Sequence, residues 1–371
     1  MNILLVSGPG INLKEPYDSG IESFIVSLAN ELINRGHNVD VVAEIAEPTA
    51  KFTVIDPFVK SKKIANKWLR KRQEQAEFAS LDTASYDIVH YNMFYPHLIK
   101  TGRKFHKPSL LSLHSPVDRR RLKVYKKLPR HMDMAFVAVS DRIQEQWDAV
   151  LPVETTLIYN GIDMKRWKVK KALGGDHLLW SGRINDSKNP LAAILLAQHL
   201  NRKLIIAGKI TDKDYFESTV KPYLNEQIVY VGHKTQEDLN KLAQNATAYL
   251  ATATWQEPFG LASLEMLASG VPVVGFKTAI PPLWNNQCIN TTSSANWGDL
   301  LSPLRASEFV TPTQCRDFAS TMSIETMAND YIALYRLKAI SSVEANDYSY
   351  NSLPINNEGV SHAFGTSRGS E

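Results

Sequence analysis

Short apolar runs recur along this chain, each followed by a stretch whose apolar residues fall three and four apart, and after Gly175 the alternation begins again. Runs of that length form buried strands and stretches of that period form helices, so the repeat calls for a parallel sheet with covering helices, built twice. In the first half, Met1 to Ser7 reads as a strand. Ile21, Phe24, Ile25, Leu28, Leu32 and Ile33 then mark one helix face, closed by Gly36. Further strands are expected at 37–44, 86–92, 108–114, 135–140 and 155–161. In the second half HLLWSG, KLIIAG, QIVYVG and AYLATA read as strands and TQEDLNKLAQN and GLASLEMLASG as helices, with Thr235 an N-cap. The basic, then Gly-rich stretch KRWKVKKALGG separates the halves. The expected fold class is therefore α/β: an N-terminal Rossmann-like domain over 1–165, a linker over 166–174 and a second such domain over 175–325. A helix over 326–340 is expected to return toward the N-terminal domain, before a disordered tail over 341–371. Two such domains facing across a cleft put the carboxyl ends of both sheets where open α/β sheets bind ligands.

Composition narrows the function classes. With 44% hydrophobic and 22% charged residues the chain reads as an ordinary globular protein. Cys288 and Cys315, its two cysteines, are too few for a disulfide framework and are not spaced for zinc. The opening MNILLVSGPG lacks the leader of a secreted protein, and no window approaches ~18 uncharged apolar residues, so a cytoplasmic protein is expected. The net charge is +4, but residues 51–130 carry 19 Lys and Arg against 6 Asp and Glu. Two runs dominate, Lys60 to Arg72 and Arg119 to Arg130, interleaved with Trp68, Leu69, Leu122, Val124, Tyr125 and Leu128. They read as basic amphipathic helices, either a solvated face or a peripheral contact with an anionic membrane surface on its inner face. No nucleic-acid module accompanies the charge, so no nucleic acid is expected as a partner.

The most specific string is WQEPFGLASLEMLASGVPVV, Trp255 to Val274. Glu257 stands ahead of a helix and Glu265 inside its opening turns, while backbone amides near Gly260 and Leu261 form a helix N-terminus suited to a phosphate. Two carboxylates that accept hydroxyls on either side of an anion site suit a polyhydroxylated ligand with a phosphate in its middle.

EPFGLASLE resembles the Glu-x7-Glu signature of the retaining GT-B glycosyltransferases of family 4, and the preceding Trp255 and following GVPVV are similar to that family as well. LIYNGID, WSGRINDSKNP, SLHSP and AVSDRIQEQW agree in order and spacing, so the resemblance runs from about residue 3 to about residue 338. It implies a GT-B fold and sugar transfer from a nucleotide-sugar, with a UDP-sugar the expected donor. The acceptor hydroxyl would belong to a lipid-linked or small-molecule glycoside bound by the N-terminal domain. It further implies that Arg183 and Lys188, after Gly182, clamp the donor diphosphate. Glu265 would hold the ribose, Glu257 the donor sugar, and His114 would donate a hydrogen bond beneath that sugar. Backbone around Gly232 and His233 would read the base, and Phe259, Gly260 and Leu261 would line the donor site with Gly20. Where the family commonly has Gly-Gly in its first loop, this chain has Ser19-Gly20.

No metal and no cofactor are expected. Asp212 and Asp214 form the chain's Asp-x-Asp, which a capped helix start accounts for. A nucleotide-sugar epimerase of the same fold, or a protein that binds nucleotide-sugar without turnover, remains the alternative. The set of Glu257, Glu265, Arg183, Lys188 and His114 argues for turnover.

Overall fold

The computed structural model describes residues 1–171 and 173–350, the last ten by their backbone alone. Its N-terminal sheet is parallel throughout. The strands are β1 (Asn2–Val6), β2 (Asn38–Val42), β3 (Thr53–Ile55), β4 (Ile88–Tyr91), β5 (Ser109–Leu113), β6 (Met134–Ala138) and β7 (Thr156–Leu157), in the order β3-β2-β1-β4-β5-β6-β7. The second parallel sheet holds β8 (His177–Ser181), β9 (Leu204–Ala207), β10 (Ile228–Tyr230), β11 (Ala246–Ala251), β12 (Val273–Phe276) and β13 (Ile289–Thr292), in the order β10-β9-β8-β11-β12-β13. Ile3 to Val6 and Leu178 to Trp180 are buried on both faces, as strands covered by helices on two sides must be. Strand order reverses between β1 and β4, and again between β8 and β11. Each reversal opens a crevice at the carboxyl ends of its sheet.

Seven helices carry the argument that follows: α1 (Gly20–Asn34), α2 (Lys67–Ala79), α3 (Arg119–Tyr125), α4 (Asp141–Asp148), α5 (Gln236–Ala243), α6 (Leu261–Ala268) and α7 (Ile324–Tyr350). Ser19 explains its own presence in the first loop. It is the N-cap of α1, extended at φ −151°, and its Oγ accepts from Ile21 N at 3.3 Å while donating to Glu22 Oε2 at 2.5 Å. At Gly20 the two domains come close, so that a Cβ there would stand 2.9 Å from Leu261 Cδ1 and the end of that side chain would have to shift. Gly208 is held by backbone instead, since a Cβ there would meet Gly182 O at 1.7 Å where β8 and β9 end side by side.

The linker is anchored at several of its residues: Trp167 and Lys170 are buried, Lys170 Nζ donates to Ala246 O at 2.7 Å, and Lys168 N to Asn240 Oδ1 at 3.2 Å. Two sequence expectations change. The terminal helix α7 begins at Ile324 and runs to Tyr350, past residue 340; the remainder of the expected tail, 351–371, lies outside the described residues. Strands β3 and β13, edges written as TVI and INTT, carry no long apolar run and escape a reading by hydrophobicity.

The chain crosses between domains near Ile162 and returns near Met322, and the two crossings bond to each other through Ile162 N to Met322 O at 3.0 Å and Ile324 N to Ile162 O at 2.8 Å. From there α7 packs on α1 and places Tyr331 and Tyr335 in the N-terminal core. Tyr335 OH meets His90 Nδ1 at 2.7 Å, and Ser112 Oγ joins His90 Nε2 to Tyr331 OH. The segment after the second domain is thereby part of the first.

The basic runs divide. In α3, Arg121 is 9% exposed, donates from Nη2 to Pro116 O at 2.7 Å, and pairs with Asp118 and Ser115. Tyr125 and Leu128 are core residues, so this run is not an amphipathic surface helix through its length. The first run holds a 3-10 turn at Ser61–Lys63 and is α-helical only from Lys67, where Asn66 caps α2, and there Trp68 is 62% and Leu69 49% exposed.

Candidate active site

A cleft of about 470 Å³ lies between the domains at the two strand-order reversals, and Gly20, His114, Arg183, Lys188, Glu257 and Glu265 all line it. Arg183 and Lys188 follow β8, Trp255 and Glu257 follow β11, and His114 follows β5, so strand ends place these, while Gly20 opens α1 and Glu265 lies within α6. Gly182, His233, Phe259, Gly260 and Leu261 line it too. Gly232 does not, and its carbonyl accepts from Gly208 N at 2.9 Å.

The turn after β8 is tied down by its own polar side chains. Asn185 Oδ1 accepts from Lys188 N at 3.1 Å, and Thr252 Oγ1 donates to Asn189 O at 2.7 Å. Lys188 Nζ then pairs with Glu257 Oε1, beneath the ring of Trp255 at 5.5 Å, and Trp255 Nε1 donates to the same oxygen at 2.5 Å. Glu257 Oε2 takes no hydrogen bond among the described residues. Glu265 is arranged alike: Oε1 accepts from Gln236 Nε2 at 3.1 Å, and Oε2 is unbonded among the described residues. Burial pushes the Glu265 carboxyl up to about 7. Between the two carboxylates, α6 begins at Gly260, at φ +85°, with no side chain capping its first amides. Arg183 extends into the cleft, exposed, with no hydrogen bond or ion pair among the described residues.

The opposite wall is nearly neutral. Burial pushes the His114 imidazole down to about 3, so it carries no charge. Its Nε2 lies 2.9 Å from Asn92 Oδ1, and Asn92 Nδ2 donates to His90 O at 3.3 Å, which orients the amide. The imidazole proton is therefore on Nε2, leaving Nδ1 an acceptor. The expected donor of a hydrogen bond to the sugar is thus an acceptor, because Asn92 claims its N–H.

Contacts from the first loop close one end of the cleft. Lys209 pairs with Asp18 at 2.7 Å, His233 Nε2 donates to Tyr17 O at 3.0 Å, and Gln236 N donates to Glu15 Oε2 at 3.0 Å. His233 is accordingly a bridge between domains through its side chain. Asp212 accepts from Tyr215 N at 2.9 Å as the cap of a short helix, and no group of three His, Cys, Asp or Glu suited to a metal occurs among the described residues.

Asn160 and Arg142 are among the lining or supporting residues that were not singled out from sequence. Asn160 is 4% exposed with its Oδ1 unpartnered, facing the cleft from the end of the N-terminal domain. Arg142 reaches across the domain boundary to the loop of Glu257. Both lie in segments, YNGID and AVSDR, whose polar residue at a strand's carboxyl end is the legible signal.

Residues 19–166 match the sequence profile described as Glycosyltransferase Family 4, and residues 162–283 the profile described as Glycosyl transferases group 1. The chain is a GT-B glycosyltransferase. Among its relatives, an uncharacterized glycosyltransferase of Methanocaldococcus jannaschii is 22% identical over 370 residues, covering 86% of this chain and 94% of that protein. Two solved structures share the glycosyltransferase's architecture. Sucrose-phosphate synthase from Thermosynechococcus elongatus superposes with a TM-score of 0.72 at 17% identity, covering 91% and 98% of the two chains. Anabaena Alr3699/HepE in complex with UDP-glucose gives 0.70 at 17% identity, covering 90% and 99%. No helix among the described residues of this glycosyltransferase is long and apolar enough to cross a membrane.

Proposed function

We propose that this glycosyltransferase moves a sugar from a UDP-sugar to an acceptor hydroxyl with retention of anomeric configuration and without a bound metal. One observation carries the reading. Glu257 and Glu265 each present an unbonded carboxylate oxygen to the cleft on either side of the uncapped amides of α6. Sugar and ribose hydroxyls fit the oxygens and the diphosphate fits the amides. The structurally similar protein solved with UDP-glucose supports uracil as the base.

The chemistry follows from charge. As the bond from the anomeric carbon to the phosphate oxygen breaks, the leaving diphosphate gains negative charge, which Arg183 and Lys188 meet. The acceptor oxygen bonds to the same carbon on the face that the diphosphate leaves, and its proton passes to a phosphate oxygen. His114 Nδ1 and Asn160 Oδ1 accept hydroxyls from the N-terminal wall. The acceptor is a lipid-linked or small-molecule glycoside. Calorimetric titration with UDP, GDP and ADP in EDTA tests the donor half, and NMR of the product's anomeric centre tests retention. Equal binding of all three nucleotides, binding that needs an added cation, or an inverted product would overturn the corresponding part.

Glu265 adds a pH signature. Above its pKa of about 7 the carboxylate accepts both ribose hydroxyls, and below it the charge is lost. UDP-glucose affinity is expected to fall about tenfold from pH 8 to pH 6. The diphosphate of that probe does not titrate in this range, so the step belongs to the protein, and Glu265→Gln should flatten it.

A peripheral cytoplasmic site on an anionic membrane is part of the same reading. Trp68 and Leu69 stand exposed among Lys63, Lys67, Lys71 and Arg72 at the start of α2, apolar tips ringed by cations that match an anionic lipid surface. Trp68→Ser with Leu69→Ser is expected to lower binding to phosphatidylglycerol vesicles about tenfold or more in a flotation assay. Unchanged flotation would return the run to a solvated face.

A further inference from the structure

Arg142, near the start of α4 in the N-terminal domain, is 9% exposed. A buried guanidinium is ordinarily met by a carboxylate. This one is met by four main-chain carbonyls, all in the opposite domain. Nη1 donates to Glu257 O at 3.0 Å and Thr278 O at 2.8 Å, and Nη2 to Lys277 O at 3.0 Å and Ile280 O at 2.7 Å. Thr278 O also accepts Glu257 N at 2.9 Å, so the guanidinium closes a cage joining two loops of the C-terminal domain. The same helix and its N-cap supply two more contacts. Ser140 Oγ donates to Pro258 O at 2.5 Å, and Gln146 Nε2 to Gln256 Oε1 at 2.8 Å. Residues 252–260, between β11 and α6, have no helix or strand of their own to hold them.

We propose that Arg142 is a positioning residue for donor-sugar recognition: it holds the backbone of Glu257 from across the cleft, so the sugar-binding carboxylate is in place only while the two domains touch. The proposal rests on the reading of Glu257 as the sugar's partner. It separates two parts of donor binding. The diphosphate and ribose engage Arg183, Lys188 and Glu265, all within the C-terminal domain, whereas the sugar engages a carboxylate whose loop the N-terminal domain supports. By linkage, the sugar then favours domain contact as much as contact favours the sugar.

The test compares wild type, Arg142→Met, Arg142→Lys and Glu257→Ala, with UDP and UDP-glucose as calorimetric probes and hydrogen exchange as the structural readout. Arg142→Met is expected to weaken UDP-glucose about tenfold or more while UDP stays within about twofold. Arg142→Lys should fall between Arg142→Met and wild type, and Glu257→Ala should reproduce the pattern. Exchange should quicken at 254–261 and 277–280 in Arg142→Met, with β1 and β8 as protected as in wild type. Loss of both probes alike, with exchange raised throughout, would make Arg142 a structural tie and overturn the proposal, as would unchanged binding and exchange. Discrimination lost in Glu257→Ala but kept in Arg142→Met sinks the proposal alone. Discrimination unaffected by Glu257→Ala sinks the reading of Glu257, and the proposal with it.

Discussion

Arg183→Ala is expected to lower kcat/KM by roughly 100- to 1,000-fold and to weaken UDP binding, with no change in melting temperature. The two halves of that expectation have separate causes. Arg183 stands exposed at the end of β8 and makes no hydrogen bond or ion pair among the described residues, so truncation removes nothing the fold depends on. Its guanidinium is instead available for a diphosphate, whose charge grows as the glycosidic bond breaks, which makes the loss larger in the transition state than in the ground state. Lys188 differs. It is already paired with Glu257, so Lys188→Ala strands a carboxylate as well as removing a cation, and a fall in its activity has two origins. Arg183→Ala is therefore the cleaner probe, read by steady-state kinetics beside a thermal melt. A fall in melting temperature that tracks the activity loss would show that Arg183 supports the fold and would remove it from the diphosphate.

How far residues speak from sequence depends on whether their meaning is local. Ile3 to Val6 and Leu204 to Ala207 announce strands because a strand covered on both faces must be apolar at every position. Thr53–Ile55 and Ile289–Thr292 do not, because an edge strand needs one partner and little burial. Glu257, Gly260 and Glu265 are legible as a set, since a loop and one helix carry all three. Arg142 is opaque for the opposite reason: its partners are carbonyls, which leave no mark in a sequence, and they lie more than a hundred residues away. Arg121 misleads in the same manner. Within RRRLK it counts as surface charge, but Asp118, Ser115 and the ring of Phe94 at 5.1 Å bring it inside. His114 is half legible: its place at a strand's end follows from the pattern, whereas its proton is set by Asn92, on the neighbouring strand's exit.

Glu257→Ala should abolish most turnover, by roughly 1,000-fold in kcat/KM, and leave UDP binding intact. A hydrogen bond to a charged group contributes about 1.5–3 kcal/mol, so a carboxylate that holds two sugar hydroxyls supports a loss of that size. UDP lacks the sugar and does not sense it. The variant also frees Lys188 from its ion pair, which raises the positive potential at the diphosphate, so UDP should bind at least as tightly as to wild type. Glu257→Gln separates charge from shape. It keeps an oxygen that can accept from a hydroxyl but leaves Lys188 without a counter-charge, and its activity should lie between those of wild type and Glu257→Ala. The measurement is paired: UDP affinity by calorimetry and turnover with the donor, on all three proteins. Activity lost together with UDP binding would mean that Glu257 shapes the whole donor site through Lys188 and Trp255. Activity kept in Glu257→Ala would mean that the sugar is held elsewhere in the cleft, with the neutral acceptors His114 and Asn160 the next side chains to test.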